Sequence, residues 1–194
     1  ILTLVFYTQG KGKGKSIIYM EAINMKYERI ALIPAYKPGD EMIETVRQLH
    51  DSSFHVVVVN DGSRDETADI CRERGYNLID LPVNLGLAGG FQTGLRYAKK
   101  MGYDAVLQFD ADGQHLPEYI QPMIDCMVET NSDIVIGSRF VTVKKPKSMR
   151  MFGSYLISWA MRLTTGKKIC DPTSGMRLFN RKMIKEFAMD ANFA

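Results

Sequence analysis

The chain has 194 residues, 45% of them hydrophobic and 24% charged, with a net charge of +3. This composition suits one sizeable globular domain. No apolar run is long enough to span a bilayer, no basic region precedes the short apolar opening as it would in a signal peptide, and Cys71, Cys126 and Cys170 match no zinc spacing, so they read as buried thiols of a reducing compartment.

Residues 1–24 are expected to be a flexible or non-native extension. Gly10-Lys11-Gly12-Lys13-Gly14-Lys15-Ser16 resembles a phosphate loop, but Gln9 stands where that loop requires glycine, so a basic linker is the better reading. Arg29-Ile30-Ala31-Leu32-Ile33 is predicted as a strand, stopped by Pro34-Ala35-Tyr36-Lys37-Pro38-Gly39. Asp40 suits the cap of a helix whose Met42, Ile43, Val46 and Leu49 share a face. A buried β-branched strand over 54–59 runs into Asn60-Asp61-Gly62-Ser63-Arg64-Asp65. A short helix over 67–74, a strand over 76–81 and a glycine-rich loop over 84–90 follow. Phe91, Leu95 and Ala98 then face one way on a helix. A strand over 105–109 opens into Asp110-Ala111-Asp112-Gly113-Gln114-His115.

Pro117 opens a helix at its first turn, where a missing N–H does no harm, with a stripe of Ile120, Met123, Ile124, Met127 and Val128. Ile134-Val135-Ile136 is a strand ending in Gly137-Ser138-Arg139-Phe140. Beyond it lie the basic Lys144-Lys145-Pro146-Lys147 and a helix face of Phe152, Leu156, Trp159 and Leu163. The turn Asp171-Pro172-Thr173-Ser174-Gly175-Met176-Arg177 precedes Leu178-Phe179, and a last helix covers 181–188. Strands alternating with amphipathic helices predict an α/β fold with a doubly wound, mainly parallel sheet, whose polar turns gather along one edge.

Ligands of open α/β sheets bind at that carboxyl edge. Asp110 and Asp112 deliver two hard oxygen donors to it. Such a pair repels unless a cation sits beside it, and Mg²⁺ or Mn²⁺ with a phosphate-bearing ligand answers that need, whereas an acidic turn around Gly113 is the plain alternative. Asp61 can accept hydrogen bonds from a base or ribose, or can cap a helix. Gly86, Gly89 and Gly90 permit either close approach to a ligand or a tight connection. No Gly-x-Gly-x-x-Gly occurs, which argues against a dinucleotide dehydrogenase.

Six segments in order, namely Ile33-Pro34-Ala35-Tyr36, 59–65, Asn84-Leu85-Gly86 with Gly89-Gly90, 110–115, 137–140 and 171–177, resemble family 2 glycosyltransferases of the GT-A fold. The likeness covers residues 28–194 and points to the branch of dolichyl-phosphate mannose synthases and bacterial polysaccharide transferases. It implies a GT-A domain over 25–194 with its carboxyl-terminal part missing. It further implies inverting transfer of a sugar from a nucleotide sugar. In that reading Pro34, Ala35 and Tyr36 line the nucleoside pocket, Asp61 holds the base beside Gly62 and Ser63, and Gly86 and Gly89 approach the donor. Asp110, Ala111, Asp112 and Gln114 form the metal and diphosphate motif, with Asp110, Asp112 and Gln114 on Mg²⁺ or Mn²⁺. His115 is assigned a structural place before Pro117 rather than a ligand's.

Two acceptors stay open. A saccharide hydroxyl needs a base, for which Asp171 is available, whereas a polyprenyl phosphate needs cations and hydroxyls such as Arg139, Ser174 and Arg177. Residues 139–194 carry 12 Lys and Arg against 3 Asp and Glu, while residues 1–138 carry 13 against 19. That excess and the 152–163 apolar face favour the lipid phosphate and a peripheral position at the inner, cytoplasmic face of a membrane, with no nucleic-acid partner. Asp110-Ala111-Asp112-Gly113-Gln114 also resembles the Asp-x-Asp-Gly-Thr motif of haloacid dehalogenase-type phosphohydrolases, but that motif ends a first strand and carries Thr where Gln114 stands. A non-enzymatic basic membrane module would leave Asp61 and the Asp-x-Asp unexplained.

Overall fold

A computed structural model of the chain describes residues 3–7, 28–37, 39–50, 53–112, 115–138, 163 and 174–189. Seven strands, β1 (Thr3–Tyr7), β2 (Arg29–Ala35), β3 (His55–Asn60), β4 (Asn77–Asp80), β5 (Ala105–Gln108), β6 (Ile134–Ser138) and β7 (Arg177–Asn180), form one sheet in the order β1-β6-β7-β5-β2-β3-β4. Among the described residues five helical elements accompany them: α1 (Glu41–His50), α2 (Thr67–Glu73), α3 (Gly86–Met101), α4 (Ile120–Thr130, entered through the 3₁₀ turn Pro117–Tyr119) and α5 (Arg181–Met189), and Leu163 is also helical.

Strands β4, β3, β2 and β5 pair in parallel. Strand β7 runs antiparallel between β5 and β6, so β2 to β6 point one way and only β1 and β7 oppose them. Alternation along β2 explains the two layers, since successive side chains of a strand face opposite sides. Ala31 and Ile33 pack with Met42, Val46 and Leu49 of α1, Cys71 of α2 and Ile120 and Met123 of α4. Ile30 and Leu32 pack on the other side with Leu95 and Ala98 of α3 and Ile184 and Ala188 of α5. Burial raises the thiol pKa of both Cys71 and Cys126, which are free cysteines.

Three expectations change. The sequence puts residues 1–24 outside the domain, yet Thr3–Tyr7 lies along β6 in antiparallel register from Thr3↔Ser138 to Tyr7↔Ile134. A β-prone run next to an unpaired edge satisfies that edge's backbone groups. The glycine-rich stretch 84–90 is not a loop throughout, because α3 begins at Gly86. Glycine is a poor helix former on its own, but here its lack of a side chain lets α3 sit close to the sheet: a Cβ on Gly94 would stand 2.5 Å from Leu32 Cδ1. On α4, Cys126 is buried and Val128 is exposed, because the buried stripe turns toward Ile120, Met123 and Cys126.

Gln114, Arg139, Asp171, the basic 144–147 stretch and Phe152, Leu156 and Trp159 lie outside the described residues, whereas Leu163 is exposed. Among the described residues, no helix is long and apolar enough to cross a membrane.

Candidate active site

The carboxyl ends of β2, β3 and β4 enclose a cleft of about 410 Å³. Tyr36 and Lys37 form one wall, Gly62, Ser63 and Arg64 the floor side, and Pro82, Val83 and Asn84 the opposite wall. Asn60, the last residue of β3, is buried and organises the loop beyond it. Its Nδ2 donates to Asp80 Oδ1 at 2.8 Å, and its Oδ1 accepts the Ser63 N–H at 3.2 Å. Arg72 Nη2 donates to the other Asp80 oxygen at 2.6 Å, which ties α2 to the same corner. Gly62 has φ +67, and a Cβ there would lie 2.4 Å from the Val83 carbonyl carbon, so only glycine fits. The Thr67 hydroxyl and amide donate to Asp65, and the hydroxyl bond above all holds its carboxyl below the ordinary value against the opposing effect of burial.

Asp61 lies behind the cleft, only 4% exposed. Its N–H donates to the Ala35 carbonyl at 2.9 Å, and its Oδ1 accepts the Leu85 N–H at 2.7 Å. The residue thus joins two connections, its backbone amide to the end of β2 and its carboxylate to the start of α3, where the helix dipole favours negative charge. Gly90 of α3 packs beside it, where a Cβ would stand in ordinary contact at 3.4 Å from Asp61 Cγ. The helix-cap role open from the sequence is not what the fold shows: Asp61 caps neither α2 nor α3 and instead holds the Leu85 amide in the connection that leads into α3.

The second half of the site lies at the ends of β5 and β7. Phe109 N–H donates to the Leu32 carbonyl at 3.1 Å, and Asp110 emerges beyond it. The β5–β7 register ends with Gln108 opposite Arg177, and just beyond it Asp110 comes against Gly175. A Cβ on Gly175 would lie 1.6 Å from Asp110 Oδ2, so the carboxylate occupies the space that a side chain would need. Gln108 Nε2 donates to Asp110 Oδ1 at 3.2 Å. Alternation puts Gln108, Asp110 and Arg177 on one sheet face. Asp112 is exposed and Ala111 nearly buried.

From the sequence, Ser174 is expected to help grip a phosphate. In the fold it is wholly buried; its hydroxyl donates to the Gly137 carbonyl and accepts the Met176 N–H at 3.2 Å, so it braces the turn instead. Arg177 Nε–H donates to the Ser174 carbonyl at 2.9 Å, which anchors the guanidinium to that turn. His115 is buried with its ring edge-on to Phe109 at 5.9 Å, in keeping with a structural place. Of the residues expected around a nucleoside, Tyr36, Gly62 and Ser63 line the cleft. Pro34 is half-buried, Ala35 is buried, and Gly86 and Gly89 belong to the first turn of α3. Lys37 and Arg64 line the cleft without having been singled out in the sequence; their adjacency to Tyr36 and Ser63 was the available signal.

Among the described residues, no three His, Cys, Asp or Glu side chains gather as a metal site. Asp110 and Asp112 still fit Mg²⁺ or Mn²⁺, because such ions are usually held by one or two carboxylates together with substrate phosphates rather than by an all-protein cage.

The profile of the glycosyl transferase family 2 matches residues 30–187, from the start of β2 into α5. The chain belongs to glycosyl transferase family 2. It is 30% identical over 175 residues to the UDP-N-acetylglucosamine–dolichyl-phosphate N-acetylglucosaminyltransferase of Methanococcus voltae, covering 79% of this chain and 70% of that one. It is also 30% identical over 177 residues to the undecaprenyl-phosphate mannosyltransferase of Micrococcus luteus, covering 84% and 70%. Glucosyl-3-phosphoglycerate synthase from Mycobacterium tuberculosis, solved with Mn²⁺, UDP-glucose and glycerol 3-phosphate, superposes with a TM-score of 0.59 at 17% identity, over 92% of this chain and 65% of that one. This family 2 glycosyltransferase thus has the GT-A fold and spans about two thirds of the length of these proteins.

Proposed function

We propose that the protein transfers a sugar, with inversion, from a nucleoside-diphosphate sugar to a polyprenyl phosphate at a membrane surface. The observation that carries this reading is the β5–β7 register, which sets the Asp110 carboxylate against Gly175 and on the same face as Arg177. A group suited to a metal-bound diphosphate thereby stands beside a cation suited to a second phosphate.

Asp110 and Asp112, with Gln114, hold Mg²⁺ or Mn²⁺, which when bound neutralises charge on the departing diphosphate. The nucleoside lies in the cleft of Tyr36, Gly62 and Ser63 backed by Asp61. A polyprenyl phosphate is already ionised, so it needs a grip rather than a base. Arg177 supplies a planar fork matched to phosphate oxygens, and Arg139 supplies a second. Asp171 is then a turn residue and not the base. The named acceptors of the Methanococcus and Micrococcus relatives, dolichyl and undecaprenyl phosphate, support the lipid-phosphate choice. The basic composition of residues 139–194 supports a position against an acidic surface.

The test is turnover of radiolabelled nucleotide sugars with a polyprenyl phosphate, with the product anomer read by NMR. Arg139→Ala and Arg177→Ala should raise the acceptor KM or abolish transfer, while Asp171→Asn keeps measurable activity. A dead Asp171→Asn, active Arg variants and transfer to a free saccharide would establish a hydroxyl acceptor instead.

A further inference from the structure

Lys37 has φ +50, a left-handed conformation that residues with a Cβ rarely adopt, and the residue that follows it is Pro38, which ordinarily drives its predecessor toward extended backbone. The conformation is held from outside: Lys37 N–H donates to Ser63 Oγ at 3.0 Å. Ser63 is itself fixed by Asn60, through its own N–H. Lys37 Nζ stands 5.6 Å from the centre of the Tyr36 ring, and both residues line the cleft. Asn60 and Ser63 thus hold the Lys37 backbone, at the mouth of the cleft, in a state that the local sequence disfavours, and the ammonium lies over the Tyr36 ring. Strain of this kind gathers at ligand sites, where the surrounding structure imposes it.

The sheet order says what that ammonium meets. Strand β2 lies between β3 and β5. Lys37, just beyond β2, therefore lines the cleft on the side that faces β5, beyond which Asp110 lies. A ligand with its base in the cleft and its diphosphate at Asp110 must pass the end of β2. Arg64 lines the same cleft from β3, one strand further from Asp110. We infer that Lys37 is a donor-recognition residue whose ammonium contacts the phosphate oxygens of the nucleoside diphosphate, and that Ser63 is the positioning residue which holds it there. This rests on the nucleotide reading of the cleft. Lysine is suited to the task as a compact point charge with three donors.

The experiment is calorimetry of the purified chain with UDP, GDP, uridine and guanosine. Asn tolerates left-handed backbone, so Lys37→Asn removes the ammonium while keeping the turn. It should weaken the better-bound diphosphate about 10–100-fold, the range expected for a lost hydrogen bond to a charged group, and leave the matching nucleoside unchanged. Lys37→Arg should restore most of the loss. Ser63→Ala should weaken diphosphate binding with Lys37 still present. Lys100→Met, the same charge change near the far end of α3, should have no effect. Equal losses for nucleoside and diphosphate would put Lys37 on the base and overturn the inference. So would unchanged diphosphate binding in Lys37→Asn. A parent chain that binds no nucleoside diphosphate overturns the reading of the cleft itself, and the inference with it.

Discussion

The Asp110 carboxylate fills the space above Gly175, so that a Cβ on Gly175 would stand 1.6 Å from Asp110 Oδ2 and 2.1 Å from its Cγ. Gly175→Ala should therefore swing the carboxylate away without unfolding the chain, since the far end of one short side chain can yield. Displacing a neighbour that orients a ligand costs about 10–100-fold in metal affinity. Titration of UDP with and without Mn²⁺ should show a loss of the metal-dependent gain in Gly175→Ala, matching that in Asp110→Asn. A variant with parental Mn²⁺ dependence would mean that Asp110 has no part in holding the ion.

Asp61 holds the Leu85 amide and has a proposed donor role, and two variants separate the two. Asp61→Ala removes the acceptor of the Leu85 N–H, and a hydrogen bond to a charged group is worth about 1.5–3 kcal/mol. Asp61→Asn keeps a carbonyl oxygen for that amide but loses the charge. The expected outcome is a lowered Tm in Asp61→Ala, a nearly parental Tm in Asp61→Asn, and weakened nucleotide binding in both. Parental nucleotide affinity in Asp61→Asn would leave the bond to the Leu85 amide as the whole of its role.

Asp133 ties β6 to the β7–α5 corner. Asn180 Nδ2 and Lys182 Nζ each donate to it at 2.8 Å. Burial raises its pKa, but the bonds from Lys182 and Asn180 outweigh burial and hold it below the ordinary value. A lowered carboxyl pKa stabilises the fold above the unfolded value near 3.9, and that contribution is lost as pH falls through the folded value. Lys182 is 59% exposed, so screening limits the effect to about 1 kcal/mol, or roughly 2–4 °C in Tm. Asp133→Asn should melt lower than the parent at pH 7, and the gap should close below about pH 4. A gap independent of pH would show that the charge contributes nothing.

Strand β1 and the cleft occupy opposite ends of the sheet order. Deleting residues 1–24 removes the pairing of Thr3–Tyr7 with β6 and bares that edge. The truncated chain should melt a few degrees lower and self-associate more readily in sedimentation, with nucleotide affinity unchanged. An unaltered Tm and a monodisperse truncated chain would return residues 1–24 to the status of a dispensable extension.

The sequence by itself determined the α/β alternation, the strands β2 to β6 and the family. It did so because these rest on local signals: β-branched runs, helical apolar faces, and polar turns that close each strand. The same locality made Asp61 and the Asp-x-Asp legible as candidates, since each sits where a buried strand meets a polar turn. What the tertiary structure decided depends on distant segments meeting. The insertion of β7 between β5 and β6 joins Asp110 to Gly175 and Arg177, and no period or spacing encodes a register between segments so far apart. Ser174 looked like a ligand residue because a hydroxyl in a turn is locally exposed; burial against Gly137 of β6 made it a brace. The stretch 84–90 looked like a loop because glycine disfavours helix locally; α3 packs on the sheet, with Gly94 against Leu32, and that packing carries the helix back to Gly86. Lys37 carries no sequence mark of its own, and the hydrogen bond from its amide to Ser63 across two strand ends is what turns it into part of the cleft.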